Sequence, residues 1–424
     1  MNDENNLGES PTRLSRKLTT FNAVVIGLGA MVGAGIFAVV GPAAQIAGSG
    51  LLPALLLAAV LAYCNAASSA QLAALYPESG GAYVYGRKKL GDFWGFLAGW
   101  GFIVGKTASC AAMALTFASY AAPDMMRPLA VFAVLALTVV NYFGVKKTAL
   151  LTRLIVVLVL VALAIVIFAV LFGGQIDATR LLPDESWGFY PILQAAGLWF
   201  FAFAGYARLA TLGEEVAEPR RTIPRAIPLA LGIALLLYLI VAISALMAVD
   251  ITTLAGTSAP LAAAVEAGSM SELSVAVRFG AAIASLGVLL SLIVGVSRTS
   301  FAMATNRDLP PFLEAVHPRY KVPHRAELLV GVVVALVVSM ADLRSAIGFS
   351  SFTVLTYYAI TNASALRLTS RERLWPRWIS MAGLSGCIVL AFCLPGTSVV
   401  GGALVLMLGA AWFAVRQNLR KHVR

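Results

Sequence analysis

The stretch Gly27-Leu28-Gly29-Ala30-Met31-Val32-Gly33-Ala34-Gly35-Ile36-Phe37 sets four glycines within nine residues of a long apolar segment. Each weakens a helix by roughly 1 kcal/mol relative to alanine, so the segment predicts a helix interrupted near its middle, at Gly33-Ala34-Gly35. Lipid satisfies no free backbone group, and an unwound stretch at that depth survives only against protein or a polar cavity. A second stretch, Trp199-Phe200-Phe201-Ala202-Phe203-Ala204-Gly205-Tyr206-Ala207-Arg208, predicts a similar break near Ala204-Gly205. Interruptions in a first and a sixth span are what a five-plus-five inverted repeat produces.

The rest of the chain makes lipid the surrounding medium. Its 424 residues are 60% hydrophobic and only 12% charged, with a mean hydropathy of +0.86. A soluble domain of that size needs far more charge to cover its surface. A spanning helix needs about 20 mostly apolar residues. Twelve segments meet or approach this, near 20–47, 51–75, 93–119, 127–144, 154–173, 190–213, 227–249, 281–304, 326–342, 345–366, 378–395 and 397–415. The expected fold is therefore an all-α membrane protein of twelve transmembrane helices. A ten-helix core over 20–366, with repeats at about 20–173 and 190–366, would be followed by two extra helices over 378–415. Short tails, 1–19 and 416–424, flank it.

The charges orient this arrangement. With the N-terminus in the cytoplasm, only Arg127, Arg180, Arg278 and Arg344 fall outside, while Lys106 and Arg208 fall within spans. All other basic residues lie inside, as the positive-inside rule requires, and both termini are cytoplasmic. The net charge of +11 then sets topology, and no nucleic-acid partner is needed to explain it. The outside connections, about 174–189 and 250–280, are too short for a soluble domain. Ala259-Pro260-Leu261-Ala262-Ala263-Ala264-Val265 predicts a short helix across the outer face. The first twenty residues are polar, so no cleavable leader is expected.

Cys64, Cys110, Cys387 and Cys393 all sit in apolar runs and read as small hydrophobes. His317, His324 and His422 lie in polar segments. A metal site or a buried histidine relay has almost nothing to be built from, and no cofactor is expected. An intramembrane enzyme would need convergent nucleophile, base or metal ligands within the spans, which are missing.

The chemistry of the breaks follows from helix ends. Freed N–H groups at the start of a half-helix bind an anion such as a carboxylate, helped by the positive end of the dipole. Freed carbonyls at the end of a half-helix accept from an ammonium. One site offering both binds an α-amino acid zwitterion without a charged side chain. A lone pair of spaced glycines would speak only for close helix packing; two broken spans together speak for a site.

At these residues the sequence resembles the amino acid–polyamine–organocation superfamily of permeases, which have the LeuT-type fold. Gly33-Ala34-Gly35-Ile36-Phe37 is similar to the first-helix motif of that family. Phe200 to Tyr206, followed by Glu214-Glu215-Val216-Ala217-Glu218-Pro219-Arg220-Arg221, is similar to its sixth-helix pattern. Pro77-Glu78-Ser79-Gly80-Gly81-Ala82-Tyr83 resembles the loop after the second helix, and Gly144-Val145-Lys146 the start of the fifth. The resemblance runs over nearly the whole chain. It implies that the Ala34 and Gly35 amides hold a substrate carboxylate, and that the carbonyls of Met31, Phe201 and Ala204 hold its ammonium. It also implies that the Phe201 ring closes over the substrate. Gly33 and Gly205 belong to the same binding segments.

Two departures bear on coupling. Many proton-coupled relatives carry a lysine in the fifth span where this chain has Val159, and an acidic residue after the sixth-helix break where it has Ala207 and Arg208. Lys106, in Gly105-Lys106-Thr107-Ala108-Ser109-Cys110, stands thirteen residues past Phe93, about 20 Å along its helix. A lysine at that depth costs about 2.5–3.5 kcal/mol on insertion scales, and burial brings its titration toward neutrality. Lys106 is therefore the candidate proton-coupling or charge-compensating group, against the blander reading that it snorkels or caps carbonyls. Arg208 is a candidate inner-gate residue. No carboxylate lies deep in a span, so neutral amino acids lead over cationic ones, with an acidic substrate left open by Lys106 and Arg208. The expected activity is proton-coupled amino acid symport. An exchanger, or a receptor or channel keeping the fold without turnover, is the alternative.

Overall fold

The computed structural model describes residues 19–76, 80–144, 149–174, 176–184, 187–206 and 218–422. Among these the chain is helical, with no strand. The first apolar segment forms two helices, α1 (Thr20–Met31) and α2 (Gly35–Ala47). Helix α3 (Leu51–Leu75) follows after a single 3-10 turn. Gly80 and Gly81, with φ of 132° and 56°, turn the chain into a short helix, α4 (Ala82–Leu90). Glycine is needed there, because a Cβ on Gly81 would collide with the Tyr357 hydroxyl. That same hydroxyl accepts the Ala82 N–H at 3.0 Å.

The first half closes with α5 (Asp92–Ala121), α6 (Met126–Tyr142) and α7 (Ala149–Gly173). Helix α8 (Phe189–Phe203) ends in a 3-10 turn over Ala204–Tyr206. Beyond lie α9 (Pro219–Ala248), two short helices α10 (Ile251–Gly256) and α11 (Pro260–Glu266), and α12 (Ser274–Thr305). The chain ends with α13 (His324–Met340), α14 (Leu343–Leu366), α15 (Arg377–Cys393) and α16 (Gly396–His422).

Among the described residues, seven stretches are long and apolar enough to cross a membrane: Gly35–Leu75, Asp92–Ala121, Pro123–Tyr142, Leu151–Gly173, Arg221–Ala248, Ser271–Thr305 and Gly396–Asn418. Helix α14 falls outside that set for a physical reason. It buries Ser350, Ser351, Thr353, Thr361, Asn362 and Ser364 among its neighbours, so it need not be apolar all round. Outward-facing apolar side chains mark the periphery instead. Phe132, Leu135 and Val139 on α6 are exposed at helical spacing, as are Val157, Val161, Phe168 and Phe172 on α7.

Helix α5 is the central element, packed along α12 on one side and α14 on another. The pairing has a regular form. Helix α3 packs on α9, α5 on α12 and α6 on α13; α1 packs on α9 as α8 packs on α3, and α5 on α14 as α12 on α7. Small residues permit these approaches. A Cβ on Gly99 would lie 2.6 Å from the Met303 sulfur, and one on Gly29 would lie 2.6 Å from a Val156 methyl.

Candidate functional site

The two interruptions meet. After Met31 the chain leaves the helix: the Val32 N–H still reaches Leu28 O at 2.6 Å, and the Gly33 N–H turns back to Met31 O at 2.7 Å. Helix α2 then starts with Ala34 as its cap, which offers no side-chain hydrogen bond, and with no acidic residue in its first turn. Its leading amides have no preceding turn to bond to, yet Ala34 is 0% exposed and Gly35 is buried. On the other element the Ala204 N–H is shared between the Phe200 and Phe201 carbonyls, which closes α8.

Glycine sets how closely these segments cross. A Cβ on Gly35 would lie 2.8 Å from the Ala202 Cα, and one on Gly205 would lie 2.7 Å from the Met31 nitrogen and collide with the Ala30 carbonyl. Each break thus presses a glycine onto the other helix. Gly33 faces a third element, where a Cβ would lie 2.5 Å from a Val288 methyl of α12.

Tyr238 of α9 joins the two. Its hydroxyl donates to the Met31 carbonyl at 2.6 Å and lies 3.2 Å from the Ala202 carbonyl. Its ring stacks on Trp199 with centroids 6.4 Å apart and meets Phe203 at 5.3 Å. The Met31 carbonyl, which the sequence suggested for an ammonium, is therefore already held by Gly33 and Tyr238. Phe201 is only partly buried, whereas Phe200 and Phe203 are 0% exposed. Ala204 is buried and Gly205 partly so. Arg208 and Ala207 lie outside the described residues. Lys106 is partly exposed on α5, and no described residue gives it a hydrogen bond or ion pair; Cys110 follows one turn on. Val159 is buried in α7.

One face of this assembly is covered. The carbonyl of Leu254 would stand 3.0 Å from a Cβ on Gly41 of α2. The Leu261 N–H of α11 donates to the Tyr120 hydroxyl at 3.3 Å, and that hydroxyl donates to the Phe37 carbonyl at 3.1 Å. Arg344 reaches the Ala255 carbonyl. A cavity of about 220 Å³, lined by Pro42, Gln45, Gln194, Leu198, Arg344 and Pro395 among others, opens between the far ends of α2 and α8. It begins about two helical turns beyond Gly35.

At the opposite end Asp308, 0% exposed, gathers three partners. Tyr83 donates to it at 2.8 Å, Arg87 lies at 3.3 Å, and Arg416 closes from α16. This ties α4, the end of α12 and the last helix together. Tyr83 belongs to the Gly80-Gly81-Ala82-Tyr83 motif, whose purpose the sequence alone did not show.

A family described as amino acid permease matches residues 18–415. The chain belongs to the amino acid permease family. With it comes membership of the amino acid–polyamine–organocation superfamily and a multi-pass membrane setting, so the permease is a transporter of amino acids and not an enzyme. It is similar to a protein of Mycobacterium tuberculosis (strain ATCC 25618 / H37Rv) named an uncharacterized transporter, at 58% identity over 98% of this chain and 94% of that one. It is also similar to the branched-chain amino acid permease BcaP of Bacillus subtilis (strain 168), at 26% identity over 95% and 90% of the two chains. The methylthioribose transporter of the same bacterium is 26% identical over 85% and 82%.

Tyr238, Tyr206, Tyr358, Asn65, Asn362 and Asp308 were not singled out from the permease's sequence. A signal existed for the two asparagines, since an asparagine inside an apolar span faces protein more often than lipid.

Proposed function

We propose that the permease is a secondary transporter that carries a neutral amino acid across the cytoplasmic membrane by alternating access, coupled to protons. The carrying observation is the crossing of the two breaks, where an uncapped helix start at Ala34-Gly35 lies against the helix end at Ala202-Ala204. The Ala34 and Gly35 amides take the carboxylate, with the dipole of α2 behind them. The carbonyls of Phe201 and Ala204 take the ammonium together with that of Met31, which Tyr238 releases when the substrate arrives. Phe201, less buried than its neighbours, covers the substrate, and Gly33 and Gly205 let the segments bend.

The helix pairing supports a twelve-span architecture with two inverted repeats. Exchanging each of the first five spans for its counterpart in the second five preserves the main pairings, including α1 on α9 against α8 on α3. The covering by α10 and α11 is then a closed outer side, with both termini in the cytoplasm. Lys106 is the coupling group, because a lysine that deep in a span is costly without a use and has no acidic partner among the described residues; Arg208 serves the inner gate.

Counterflow of labelled amino acids in proteoliposomes tests this reading. Accelerated exchange of a neutral amino acid is expected, and binding without flux would make the chain a receptor. A flux assay after a pH jump then tests the coupling.

A further inference from the structure

Three helices bury polar side chains on a shared face behind the sixth-helix break. On α3, Asn65, Ser68 and Gln71 follow at intervals of three, all buried. The lower part of this face is satisfied. The hydroxyls of Ser68 and Ser380 are 2.8 Å apart, Gln71 Nε2 donates to Ser380 at 3.4 Å, and Gln71 Oε1 accepts the Leu374 N–H at 3.3 Å. Polar contacts between spanning helices explain that part fully.

The upper part is different. Asn362 Nδ2 donates to Asn65 Oδ1 at 2.6 Å and to the Tyr358 carbonyl at 2.9 Å, and the Cys387 thiol donates to Asn65 Oδ1 at 3.3 Å. Asn65 Nδ2, Asn362 Oδ1 and the hydroxyls of Tyr206 and Tyr358 then have no hydrogen-bond partner among the described residues. All four side chains are at most 1% exposed. The two tyrosine rings are 5.1 Å apart, and the Tyr206 hydroxyl faces Tyr358 and Asn65 without reaching hydrogen-bond geometry to either. Turning the Asn362 amide over would set its oxygen against the Tyr358 carbonyl, so its orientation is fixed. Gly383 lets the Asn362 side chain lie close against its helix, since a Cβ there would strike it.

Unpaired polar groups this deep are not left bare. The chemistry selects the occupant. Donors and acceptors are both present and neutral, the amide N–H of Asn65 opposes a cation, and no basic side chain among the described residues pairs with these groups to draw an anion. Water meets all of them, accepting from one group and donating to the next. We infer that Asn65, Tyr206, Tyr358 and Asn362 hold internal water behind the sixth-helix break. The water gives Tyr206 a partner that moves with it, so the helix can bend there without stranding its hydroxyl. Only that consequence rests on the proposed transport cycle.

Radiolytic hydroxyl-radical labelling of the purified full chain, with rapid mixing into H₂¹⁸O, tests the site without substrate or flux. Bound water is the local radical source, so Tyr206 and Tyr358 should label several-fold faster than Tyr238, equally buried but hydrogen-bonded to protein. The label should carry ¹⁶O after short mixing, as slowly exchanging water requires. Equal rates for the three tyrosines would overturn the inference, as would immediate ¹⁸O incorporation. In the Asn65→Leu, Asn362→Leu double variant the excess labelling should vanish; if it persists in folded protein, the water lies elsewhere and the assignment fails. The wild-type comparison stands if that variant does not fold.

Discussion

The hydroxyl of Tyr238 stands 2.6 Å from the carbonyl oxygen of Met31, a residue 207 positions earlier in the chain. It is also 3.2 Å from the carbonyl of Ala202. One side chain of α9 therefore ties together the ends of both half-helices, at the carbonyls of Met31 and Ala202. Tyr238→Phe keeps the ring against Trp199 and Phe203 and removes only this bond. It should destabilise the permease by about 1 kcal/mol, read as a lower unfolding temperature in detergent. If Tyr238 releases Met31 to the substrate, the variant should bind amino acid no more weakly while exchanging it more slowly, which isothermal binding and counterflow together would show.

Gly35→Ala and Gly205→Ala should each abolish exchange, because the added methyl meets backbone atoms of the opposite helix, which have no rotamer to escape into. Gly232→Ala is the matched control. Nothing lies within 4 Å of a Cβ at that helical position, so it should leave transport intact and stabilise the protein by up to about 1 kcal/mol. Uptake assays on the three variants at equal expression decide this.

Lys106→Met removes the charge while keeping the stem. Amino acid flux in the variant should lose its pH dependence, with residual exchange at every pH. Transport by Lys106→Ala and Lys106→Met with an unchanged pH profile would remove Lys106 from the coupling step.

Asp250 caps α10, accepting the Thr253 N–H at 2.7 Å and the Thr252 hydroxyl at 2.5 Å. These hydrogen bonds hold its carboxyl down at about 2, against an ordinary 3.8. The folded value is depressed, so the stabilisation is complete above about 3.8 and is lost as pH falls through about 2. Amide exchange over Ile251–Gly256 should stay slow at pH 5 and quicken only below pH 4. Asp250→Asn should remove that acid dependence.

Asp308→Asn tests the cluster at the other end. Arg87 and Arg416 would keep their charges beside a neutral amide, and removing one partner of a buried ion pair costs about 3 kcal/mol or more. A marked fall in unfolding temperature is expected, with Asp308→Glu intermediate.

Much of the helical plan was legible because its cause is local. An apolar run such as 51–75 states its own length, and the structure gives Leu51–Leu75. Boundaries failed where polar residues continue a helix. The last helix extends to His422, well past the apolar limit near 415, and α9 begins at Pro219 among arginines. The short helix foreseen over 259–265 lies at Pro260–Glu266, but α4 and α10 went unread, being too short for periodicity to register. The site was read as backbone chemistry, and its side-chain partners were missed, since Tyr238 sits in an apolar run that looks like any other.

By itself, then, the sequence determined the family, the lipid setting and the position of the first break between Met31 and Gly35. Glycine content and hydropathy act within a few residues, and a helix weakens where they direct regardless of what it later touches. Only the tertiary structure decided that Gly35 lies on Ala202, that Tyr238 closes Met31, and that Tyr206 shares a buried polar face with Asn65, Tyr358 and Asn362. Those relations depend on which face of one helix meets another, and hydrogen-bond partners brought together across hundreds of residues leave no local trace in the chain.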